Sequence, residues 1–477
     1  MSEIFFSVTV TLGGFIWYNI NMKGTIEILD SVHCRASKTL RDPIYELLKF
    51  EDAIWKTGRF GRTRKKQIRS YIDKRTGIFL SGFYEKVVNH LLLIQKAELE
   101  IADGSLPITS LQRANPKVNG ISFRPFQIEA AKTAAIEKRG VIVAPTGTGK
   151  TIAQMAFLSL FRQDSHALFL CHTLDLLSQT EEVFKSLGRS MQVISGKTSK
   201  EFQNKQITLA TVQSYHKLIA QLRLDFADVI LIDEAHHVND RNSLYGEVLQ
   251  RSLAPIKIGY TATVPKDRKR ALALEGLIGP KIYELPVEEG VQMKILAKPK
   301  VTLINVPLRN DVKHLNRFKD IYERGIVDSV ARNKIIANET YRRTRKDKTV
   351  LIMVKEIRHG NNIAEYLKAL QIKYEFVQGK VESQIRNQIK KDFDSKKIQA
   401  VISTAVWREG INIPSLNVVL NACGGKSEIQ TLQAIGRGLR TQDGKGEVEV
   451  IDFLDPYRYV AEHAITRIQI YNKEGWI

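Results

Sequence analysis

Cysteine is scarce in this chain, and its spacing excludes two classes of protein. The 477 residues include three cysteines, Cys34, Cys171 and Cys423, which lie far apart. No two of them form a Cys-x-x-Cys pair, so the sequence lacks both the ligand spacing of a zinc cluster and the disulfide framework of a small secreted domain. This usage is typical of a cytoplasmic protein.

Hydrophobic runs long enough to cross a membrane are also missing. The most apolar stretch, residues 1–20, carries Glu3 where a signal peptide has basic residues, and Asn19 and Asn21 interrupt it too early for a membrane span. We therefore expect no membrane association. Two interpretations of residues 1–21 stay open: an edge strand, or an upstream extension of the reading frame, since Met22 could itself begin a chain.

Acidic residues are in deficit. Lys and Arg number 72 against 51 Asp and Glu, which gives a formal net charge of +21. This balance favours a polyanionic partner. Nucleic acid is the first candidate and an anionic membrane surface is the second. The length exceeds what one hydrophobic core supports, and at about 100–200 residues per domain it predicts three domains.

A phosphate-binding loop is predicted at residues 145–151. The apolar run 141–144 predicts a buried strand, and helical spacing begins at residue 152. Small residues between them let backbone N–H groups close round a phosphate at a helix N-terminus. Lys150 would reach the β- and γ-phosphates, and the Thr151 hydroxyl would hold Mg²⁺. The residues expected to bind the nucleotide here are Pro145, Thr146, Gly147, Thr148, Gly149, Lys150 and Thr151.

Ala144 departs from the usual phosphate-loop pattern, because it stands where the first glycine is expected. An ordinary glycine-rich turn between a strand and a helix is the competing interpretation. The Lys-Thr pair at the start of the predicted helix favours the phosphate loop.

A second motif follows a predicted interior strand. The apolar run 227–232 is typical of a strand buried on both faces of a parallel sheet, and it delivers Asp233 and Glu234 at the carboxyl edge, where ligands bind. Asp233 is placed to hold Mg²⁺, and Glu234 to orient and deprotonate an attacking water. His236 and His237 lack a third ligand at suitable spacing, so we expect no metal bound by them.

Segments along the chain carry a resemblance to the superfamily 2 helicases and translocases. The resemblance extends from residue 123 to the C-terminus, and it implies two RecA-like α/β domains with ATP between them and nucleic acid across their tops. The segments are residues 123–127, 144–151, 171–179, 210–214, 233–236, 260–263, 351–355, 403–414 and 433–440.

The resemblance implies further site residues. Thr173 and Thr211 follow predicted strands, where it puts contacts to a phosphate backbone, although hydroxyls in such places equally serve as helix caps. Thr261 and Thr263 resemble a coupling motif that senses nucleotide and adjusts the grip on nucleic acid. The remaining residues that it assigns to nucleotide binding are Arg124, Gln127 and Gly410.

The last segment also has a physical interpretation. Gln433, Arg437 and Arg440 stand at i, i+4 and i+7, so on a helix they would share one face. An amide and two guanidiniums suit a γ-phosphate, and across the cleft from Lys150 they would stabilise phosphoryl transfer when the domains close. An exposed basic helix face is the alternative.

The N-terminal region predicts short strands and helices around a basic run. Strands are predicted at residues 25–29 and 77–80, and helices at 42–50 and 84–93. The run between them is either a solvated face or, given the net charge and the motor motifs, a set of phosphate contacts. Its candidate nucleic-acid contacts are Arg59, Arg62, Arg64, Lys65, Lys66 and Arg69.

Turn-forming residues at 103–120 predict a linker, with a new domain starting near Ile121. We expect a small DNA-binding domain at residues 1–110, an ATP-binding RecA-like domain at 111–292 and a second RecA-like domain at 293–477. The expected fold class is thus α/β, with two parallel-sheet domains that follow a small α/β domain in the chain.

The branch of the superfamily is indicated by two features. The Thr-Ala-Thr and Asp-Glu-Ala-His segments resemble those of the XPB-related group and of phage recombination helicases of the UvsW type, and the N-terminal region is similar to the small domain that precedes the motor in the latter. The resemblance implies an ATP- and Mg²⁺-dependent helicase that remodels branched DNA, such as forks and Holliday junctions, in phage replication, recombination or repair, in the host cytoplasm.

Two other functions stay open. The chain could be an RNA helicase, or the motor part of a restriction or nuclease assembly. No acidic nuclease cluster stands out near either end of the sequence, which disfavours the second.

Overall fold

The computed structural model describes residues 22–58, 61–104, 111–196, 203, 205–218, 227–379, 381–404, 413, 415–425, 447–473 and 475–477. The chain divides into two compact units, Met1–Ser105 and Leu106–Ile477. Across the described ranges, no helix has both the length and the apolar character needed to cross a membrane.

The first unit is a small α/β structure. Its sheet has the order β5-β2-β1-β6, and buried side chains such as Ile26, Ile44 and Phe83 fill the space beneath it. Its elements are β1 (Lys23–Ile28), β2 (His33–Ala36), α1 (Arg41–Leu47), β3 (Lys49–Gly58), β4 (Gly61–Ser70), β5 (Ile78–Leu80), α2 (Tyr84–Asn89) and β6 (Glu98–Asp103). The predicted strands at 25–29 and 77–80 are confirmed as β1 and β5.

The predicted helix at 42–50 is wrong at its end. Helix α1 stops at Leu47, and Lys49 already pairs with Ser70 as the first residue pair of a long antiparallel hairpin formed by β3 and β4. The buried ring of Phe50 packs on Tyr71, with 4.8 Å between ring centroids, and so anchors the base of the hairpin. From Arg62 to Arg69 the basic run therefore lies on strand β4 of a two-stranded sheet.

The second unit begins with a parallel sheet, which we call the first lobe. The strand order is β13-β7-β12-β11-β8-β10-β9, and β8, β10, β11 and β12 are buried along their whole length, which explains their almost uniformly apolar sequences. Its elements are α3 (Pro125–Glu137), β7 (Arg139–Val143), α4 (Lys150–Leu158), β8 (Ala167–Cys171), α5 (Leu174–Phe184), β9 (Met191–Ile194), β10 (Ile207–Thr211), α6 (Val212–Leu218), β11 (Val229–Asp233), α7 (Leu244–Arg251), β12 (Ile256–Thr261), α8 (Arg268–Leu277), β13 (Lys281–Glu284) and α9 (Val287–Gln292).

A second parallel sheet, the second lobe, follows with the order β14-β19-β18-β15-β17-β16. Its elements are β14 (Lys298–Asn305), α10 (Asn310–Lys313), α11 (Phe318–Tyr322), α12 (Val330–Thr344), β15 (Thr349–Met353), α13 (Ile357–Ala369), β16 (Tyr374–Val377), α14 (Ser383–Asp394), β17 (Ala400–Ser403), β18 (Leu416–Asn421), β19 (Glu447–Leu454) and α15 (Val460–Lys473).

Shorter helical turns complete the described structure. Turns of 3₁₀ helix lie at Lys38–Leu40, Ser81–Phe83, Lys185–Leu187 and Ala235–His237, and π-helical turns at His90–Ile94 and Glu323–Val327. The predicted helix at 84–93 is thus α-helical to Asn89 and π-helical beyond it. The expected fold class, two parallel-sheet domains that follow a small α/β domain in the chain, is confirmed.

Candidate functional site

Three neighbouring strands of the first lobe end where the nucleotide residues were predicted. Strands β7, β12 and β11 are adjacent and parallel, and they lead into the phosphate loop, Thr261 and Asp233 respectively. Because parallel strands end at the same edge of the sheet, these three features lie side by side. The backbone N–H of Ala144 donates to the Thr261 carbonyl at 2.9 Å, which ties the start of the loop to strand β12.

The loop has the backbone that its glycines predict. Gly147 and Gly149 have φ values of 98° and 92°, a region that other residues rarely adopt, and Gly149 directly precedes the first residue of α4. The Thr148 hydroxyl donates to the Pro145 carbonyl at 2.9 Å and closes the turn. The Lys150 ammonium donates to the Ala144 carbonyl at 3.3 Å, so it lies back over the loop. This arrangement leaves backbone N–H groups at the start of a nine-residue helix, as an anion site requires.

Arg124 and Gln127 contact the phosphate loop itself. The Gln127 amide nitrogen lies 3.4 Å from the carbonyls of both Thr148 and Gly149, and an Arg124 guanidinium nitrogen lies 3.2 Å from the Thr148 carbonyl. The Gln127 side chain, in a residue only 3% exposed, also accepts from the Arg124 backbone N–H at 2.9 Å. The described contacts therefore make these two residues supports of the loop; their expected contact with adenine stays a prediction.

The two acidic residues are both buried. Asp233 is 4% exposed and accepts a hydrogen bond from the Gln154 amide at 3.2 Å. Burial, the largest cause, and the charge of Glu234, the second, raise the pKa of Asp233 to about 6. The charge of Lys150 and the Gln154 hydrogen bond act against this rise. Glu234 is 7% exposed and has a φ of 48°, an uncommon conformation for a residue with a side chain. Buried carboxylates in such surroundings are typical of a functional site.

His236 joins the acidic segment to the predicted coupling residues. Its Nδ1 lies 3.0 Å from the Thr261 hydroxyl and 3.4 Å from a Glu234 carboxylate oxygen. Thr261 in turn donates to the Thr263 carbonyl at 2.9 Å and accepts from the Thr263 N–H at 3.3 Å. Because the His236 ring contacts both Thr261 and Glu234, a displacement of the Thr261–Thr263 segment would shift the contact of that ring with the Glu234 carboxylate.

Sequence reasoning missed Gln154 and a cluster of three histidine rings. Gln154 stands four residues after Lys150 on α4, so its spacing and its polarity within an apolar run could have revealed it. The ring of His237 lies between those of His172 and His236, tilted by 41° and 36° to them, with centroid distances of 4.0 and 4.3 Å. Since His172 is more than sixty residues earlier in the chain, no local pattern predicted that contact.

The described hydrogen bonds of Thr173 and Thr211 are those of helix caps. The Thr173 hydroxyl accepts from the Leu176 N–H at 3.3 Å at the start of α5. The Thr211 hydroxyl lies 2.9 Å from that of Ser214 and accepts from the Ser214 N–H at 3.4 Å. Thr211 ends β10 and Thr173 lies two residues after the end of β8, both at the sheet edge that carries the phosphate loop. Their expected contacts with nucleic acid stay predictions.

The basic hairpin and the second lobe hold the remaining predicted residues. Lys65, Lys66 and Arg69 are exposed on β4, where Lys66 pairs with Glu51 at 2.7 Å and Arg69 with Asp52 at 3.5 Å. Arg62 and Arg64 belong to the backbone of β4. The predicted residues that lie outside the described part of the chain are Arg59, Gly410, Gln433, Arg437 and Arg440.

One described ion pair connects the two lobes. Arg386 on α14 lies 3.3 Å from Asp175 in the first turn of α5, and both side chains are largely buried. Asp175 is two residues after Thr173, so the contact lies beside a predicted nucleic-acid position.

Two family models and several known proteins are similar to this chain in sequence. The family model described as "Type III restriction enzyme, res subunit" matches residues 120–266, and that of the helicase conserved C-terminal domain matches residues 331–442. The DNA 3'-5' translocase XPB2 of Sulfurisphaera tokodaii is 26% identical, over 68% of this chain and 80% of that protein. The ATP-dependent DNA helicase uvsW of Enterobacteria phage T4 is 24% identical, over 73% and 75%.

A solved structure shares the fold of the two lobes. The structure of S. cerevisiae Dbp5 bound to RNA and ADP BeF3 aligns with a TM-score of 0.55 and 19% identity, over 74% of this chain and 88% of that chain. At this identity the likeness concerns the fold alone.

Proposed function

Because the chain belongs to superfamily 2 of the helicases and translocases, we propose that it uses ATP to remodel branched DNA, such as replication forks and Holliday junctions. The observation that carries the proposal is the buried Asp233–Glu234 pair beside the phosphate loop, connected by His236 to Thr261. This geometry connects the proposed hydrolytic residues to the segment proposed to couple hydrolysis to nucleic-acid binding. The names of the XPB2 and uvsW relatives support DNA as the polymer.

The first lobe is proposed to bind the nucleotide through its loop. Backbone N–H groups at the start of α4 would bind the β-phosphate, and Lys150 would leave the Ala144 carbonyl to contact the β- and γ-phosphates. Arg124 and Gln127 hold the loop from behind through the Thr148 carbonyl, which fixes its shape before the nucleotide arrives.

The residues at the loop fit a magnesium ion. The Thr151 hydroxyl and the Asp233 carboxylate are oxygen donors of the type that Mg²⁺ prefers. The raised pKa of the buried Asp233 indicates that this carboxylate is short of positive charge. In addition, the Thr146 hydroxyl is buried and has no hydrogen-bond partner among the described residues. When bound, the ion would supply positive charge that offsets the phosphate oxygens during phosphoryl transfer.

Glu234 is proposed as the residue that orients water and accepts its proton. Its side chain lies beside Asp233 and within 3.4 Å of His236, in a site from which bulk water is mostly excluded. Together with Asp233, Ala235 and His236 it would make the chain a member of the Asp-Glu-Ala-His group. Gly410 is proposed to bind nucleotide, and Gln433, Arg437 and Arg440 to complete the site from the second lobe.

The first unit is proposed to hold DNA through its hairpin. The exposed cations of β4 face solvent, and Lys66 pairs with the exposed carboxylate of Glu51, a kind of contact that contributes about 0–1 kcal/mol and is easily exchanged for phosphate. Arg69 lies 3.5 Å from the largely buried Asp52. We propose residues 1–110 as this DNA-binding domain, with residues 111–292 and 293–477 as the two motor domains.

One set of assays tests the proposal. ATP hydrolysis is measured in parallel with single-stranded, duplex, forked and four-way DNA and with RNA, and strand displacement is followed on the forked substrate. We expect the largest stimulation with branched DNA. The Glu234→Gln variant is the control, because it should bind nucleotide yet lose turnover. Stimulation by RNA alone would replace the proposed substrate, and normal turnover by Glu234→Gln would remove that residue from its role.

The motor of a restriction assembly is a second candidate. The family model over residues 120–266 carries a restriction-enzyme description, which favours it. Such a motor would move along duplex DNA without separating the strands. Displacement of a triplex-forming oligonucleotide, with no unwinding of forks, would support this alternative over the remodelling of branched DNA.

A further inference from the structure

The second lobe carries a cluster of aromatic rings that reaches the surface at Phe318, and we call it the Phe318 platform. It consists of exposed Phe318, half-buried Tyr459 and His463, and the buried ring of Tyr322 beneath them. The ring centroid of Phe318 lies 5.8 Å from that of Tyr322, 6.3 Å from that of Tyr459 and 5.5 Å from that of His463. Phe318 is 39% exposed, so a large aromatic ring faces solvent where burial would be favourable.

Two cations are held against these rings. The Lys355 ammonium lies 4.9 Å from the ring centroid of Tyr322 and 6.0 Å from that of Phe318, and the Arg458 guanidinium lies 5.0 Å from that of Tyr459. Both residues are exposed, and in the described part of the chain neither forms an ion pair with a carboxylate. Nearby Arg358, in contrast, pairs with Asp328 at 2.7 Å. The platform therefore combines aromatic rings with two exposed cations that form no ion pair within the described ranges.

The platform lies at the carboxyl edge of the sheet, where parallel sheets bind ligands. Lys355 follows β15, and Arg458 and Tyr459 follow β19. The Tyr322 hydroxyl donates to the carbonyl of Cys423, just after β18, at 2.8 Å. Strands β15, β18 and β19 are neighbours, so their ends bring the rings and cations together.

The backbone at Tyr459 is held in an unfavourable conformation. Its φ of 64° is rare for a bulky residue, and it is stabilised by contacts on both sides: the Tyr459 hydroxyl donates to the Asn316 carbonyl at 3.4 Å, and the His463 N–H donates to the Tyr459 carbonyl at 3.0 Å. Strained residues of this kind concentrate at binding and catalytic sites.

We propose that the Phe318 platform stacks against the bases of single-stranded nucleic acid, with Lys355 and Arg458 contacting the flanking phosphates. Aromatic rings bordered by cations are the surface that unpaired bases and their backbone require, because every base has a face that can stack and every linkage carries a negative charge. The inference rests on the proposed function and adds to it a base-contacting site in the second lobe. Such a site would hold one strand at the point where the duplex is opened.

The test compares Phe318 variants on single-stranded oligonucleotides. For Phe318→Ala we expect affinity for an oligothymidine to fall by roughly 5- to 150-fold, as the removal of stacking on a base implies. Phe318→Trp should retain the affinity, whereas Phe318→Leu, which keeps apolar volume without an aromatic face, should resemble the alanine variant. An oligonucleotide with abasic positions should bind wild type weakly and Phe318→Ala no worse than wild type.

Two controls separate stacking from other effects. Ile465→Ala removes an apolar side chain that is 56% exposed on the same helix as His463, and it should leave the affinity unchanged. Lys355→Gln should lower the slope of log affinity against log salt by about 0.7, the value for one single-strand phosphate contact. Thermal unfolding of each variant verifies the fold.

The outcomes distinguish this inference from the proposed function. If wild type binds single strands and hydrolyses ATP in response to them, but Phe318→Ala binds them equally well, the platform does not contact bases. The same conclusion follows if abasic positions weaken both proteins alike. If wild type itself neither binds nucleic acid nor responds to it, the proposed function fails before the platform is tested.

Discussion

Replacing Asp233 with Asn should stabilise the nucleotide-free protein. Asp233 is buried beside Glu234, and its pKa rises from 3.8 to about 6. Among the described residues no Lys or Arg lies within ion-pair distance of it. The ionised carboxylate therefore raises the free energy of the folded state, and a neutral amide of nearly the same shape removes that cost while retaining a partner for Gln154.

The magnitude follows from the two pKa values. The unfolded chain releases the proton near pH 3.8 and the folded chain only near pH 6, so the folded state binds the proton more tightly and loses stability as pH rises between these values. At about 1.36 kcal/mol for each pH unit between them, the full cost above pH 6 is about 3 kcal/mol. About half of it remains at pH 5, and almost none below pH 3.8.

Thermal unfolding in EDTA measures the effect. A change of 1 kcal/mol shifts the Tm of a 150- to 250-residue domain by about 2–4 °C, so Asp233→Asn should unfold up to about 6–12 °C above wild type at pH 8. The gain should shrink by about half at pH 5. Adding Mg²⁺ and a nonhydrolysable ATP analogue should reverse the order, because only wild type retains the carboxylate expected to bind the ion.

A matched carboxylate in the same lobe should respond in the opposite direction. Burial opposes the ionisation of Asp240, but the Asn242 N–H and Lys269 outweigh it and lower the pKa of that carboxyl. Asp240→Asn should therefore destabilise the protein at pH 8. If Asp233→Asn unfolds at or below the wild-type temperature in EDTA, or if its gain is the same at pH 5 and pH 8, burial of charge is not what distinguishes this site.

Three further results are expected. Replacing His236 with Ala removes the ring that contacts Thr261. Stimulation of ATP hydrolysis by DNA should therefore fall at least about tenfold, while nucleotide affinity changes far less. Equal losses in the DNA titration of ATPase rate and in the nucleotide titration would contradict coupling through this ring. Replacing Arg386 with Asp should separate the lobes in a fluorescence energy transfer assay, and adding Asp175→Arg should restore wild-type transfer unless the pair is incidental. Neutralising the exposed cations of β4 should lower the salt dependence of duplex binding by roughly 0.9 for each phosphate that the hairpin no longer neutralises, and an unchanged slope would leave the hairpin a solvated face.

The nucleotide site could be predicted from sequence because each of its parts is local. The run at 141–144 and the run at 227–232 are confirmed as β7 and β11 to within two residues, since strands buried on both faces have few polar positions to obscure them. The small residues predicted to close round a phosphate form a tight turn, in which Gly147 and Gly149 have positive φ. In both cases the functional residues stand at the end of the strand that positions them: the phosphate loop after β7, and Asp233 and Glu234 at the end of β11.

What escaped prediction depends on contacts between distant parts of the chain. The hairpin of β3 and β4 is formed by strand pairing from Lys49–Ser70 to Gly58–Gly61, and its mixed sequence lacks the alternation of a half-buried strand, so the sequence predicts helix as far as residue 50. The ion pair of Asp175 with Arg386 and the rings around Phe318 join residues more than a hundred positions apart. Spacing along the sequence carries no information about such neighbours.

Buried aspartates in the two lobes differ in how their charge is balanced. In the second lobe, Asp455 receives two hydrogen bonds from buried Arg332, and Asp452 receives two from buried Arg467. Removing one partner of such a pair costs about 3–5 kcal/mol, so these pairs serve the fold. In the first lobe, Asp233 accepts hydrogen bonds from the neutral groups of the Gln154 amide and the Glu234 backbone, and the carboxylate of Glu234 lies beside it. A cation that binds there would offset this negative charge and stabilise the folded state. We infer that the aspartates paired with arginine in the second lobe are structural, whereas Asp233 in the first lobe is catalytic.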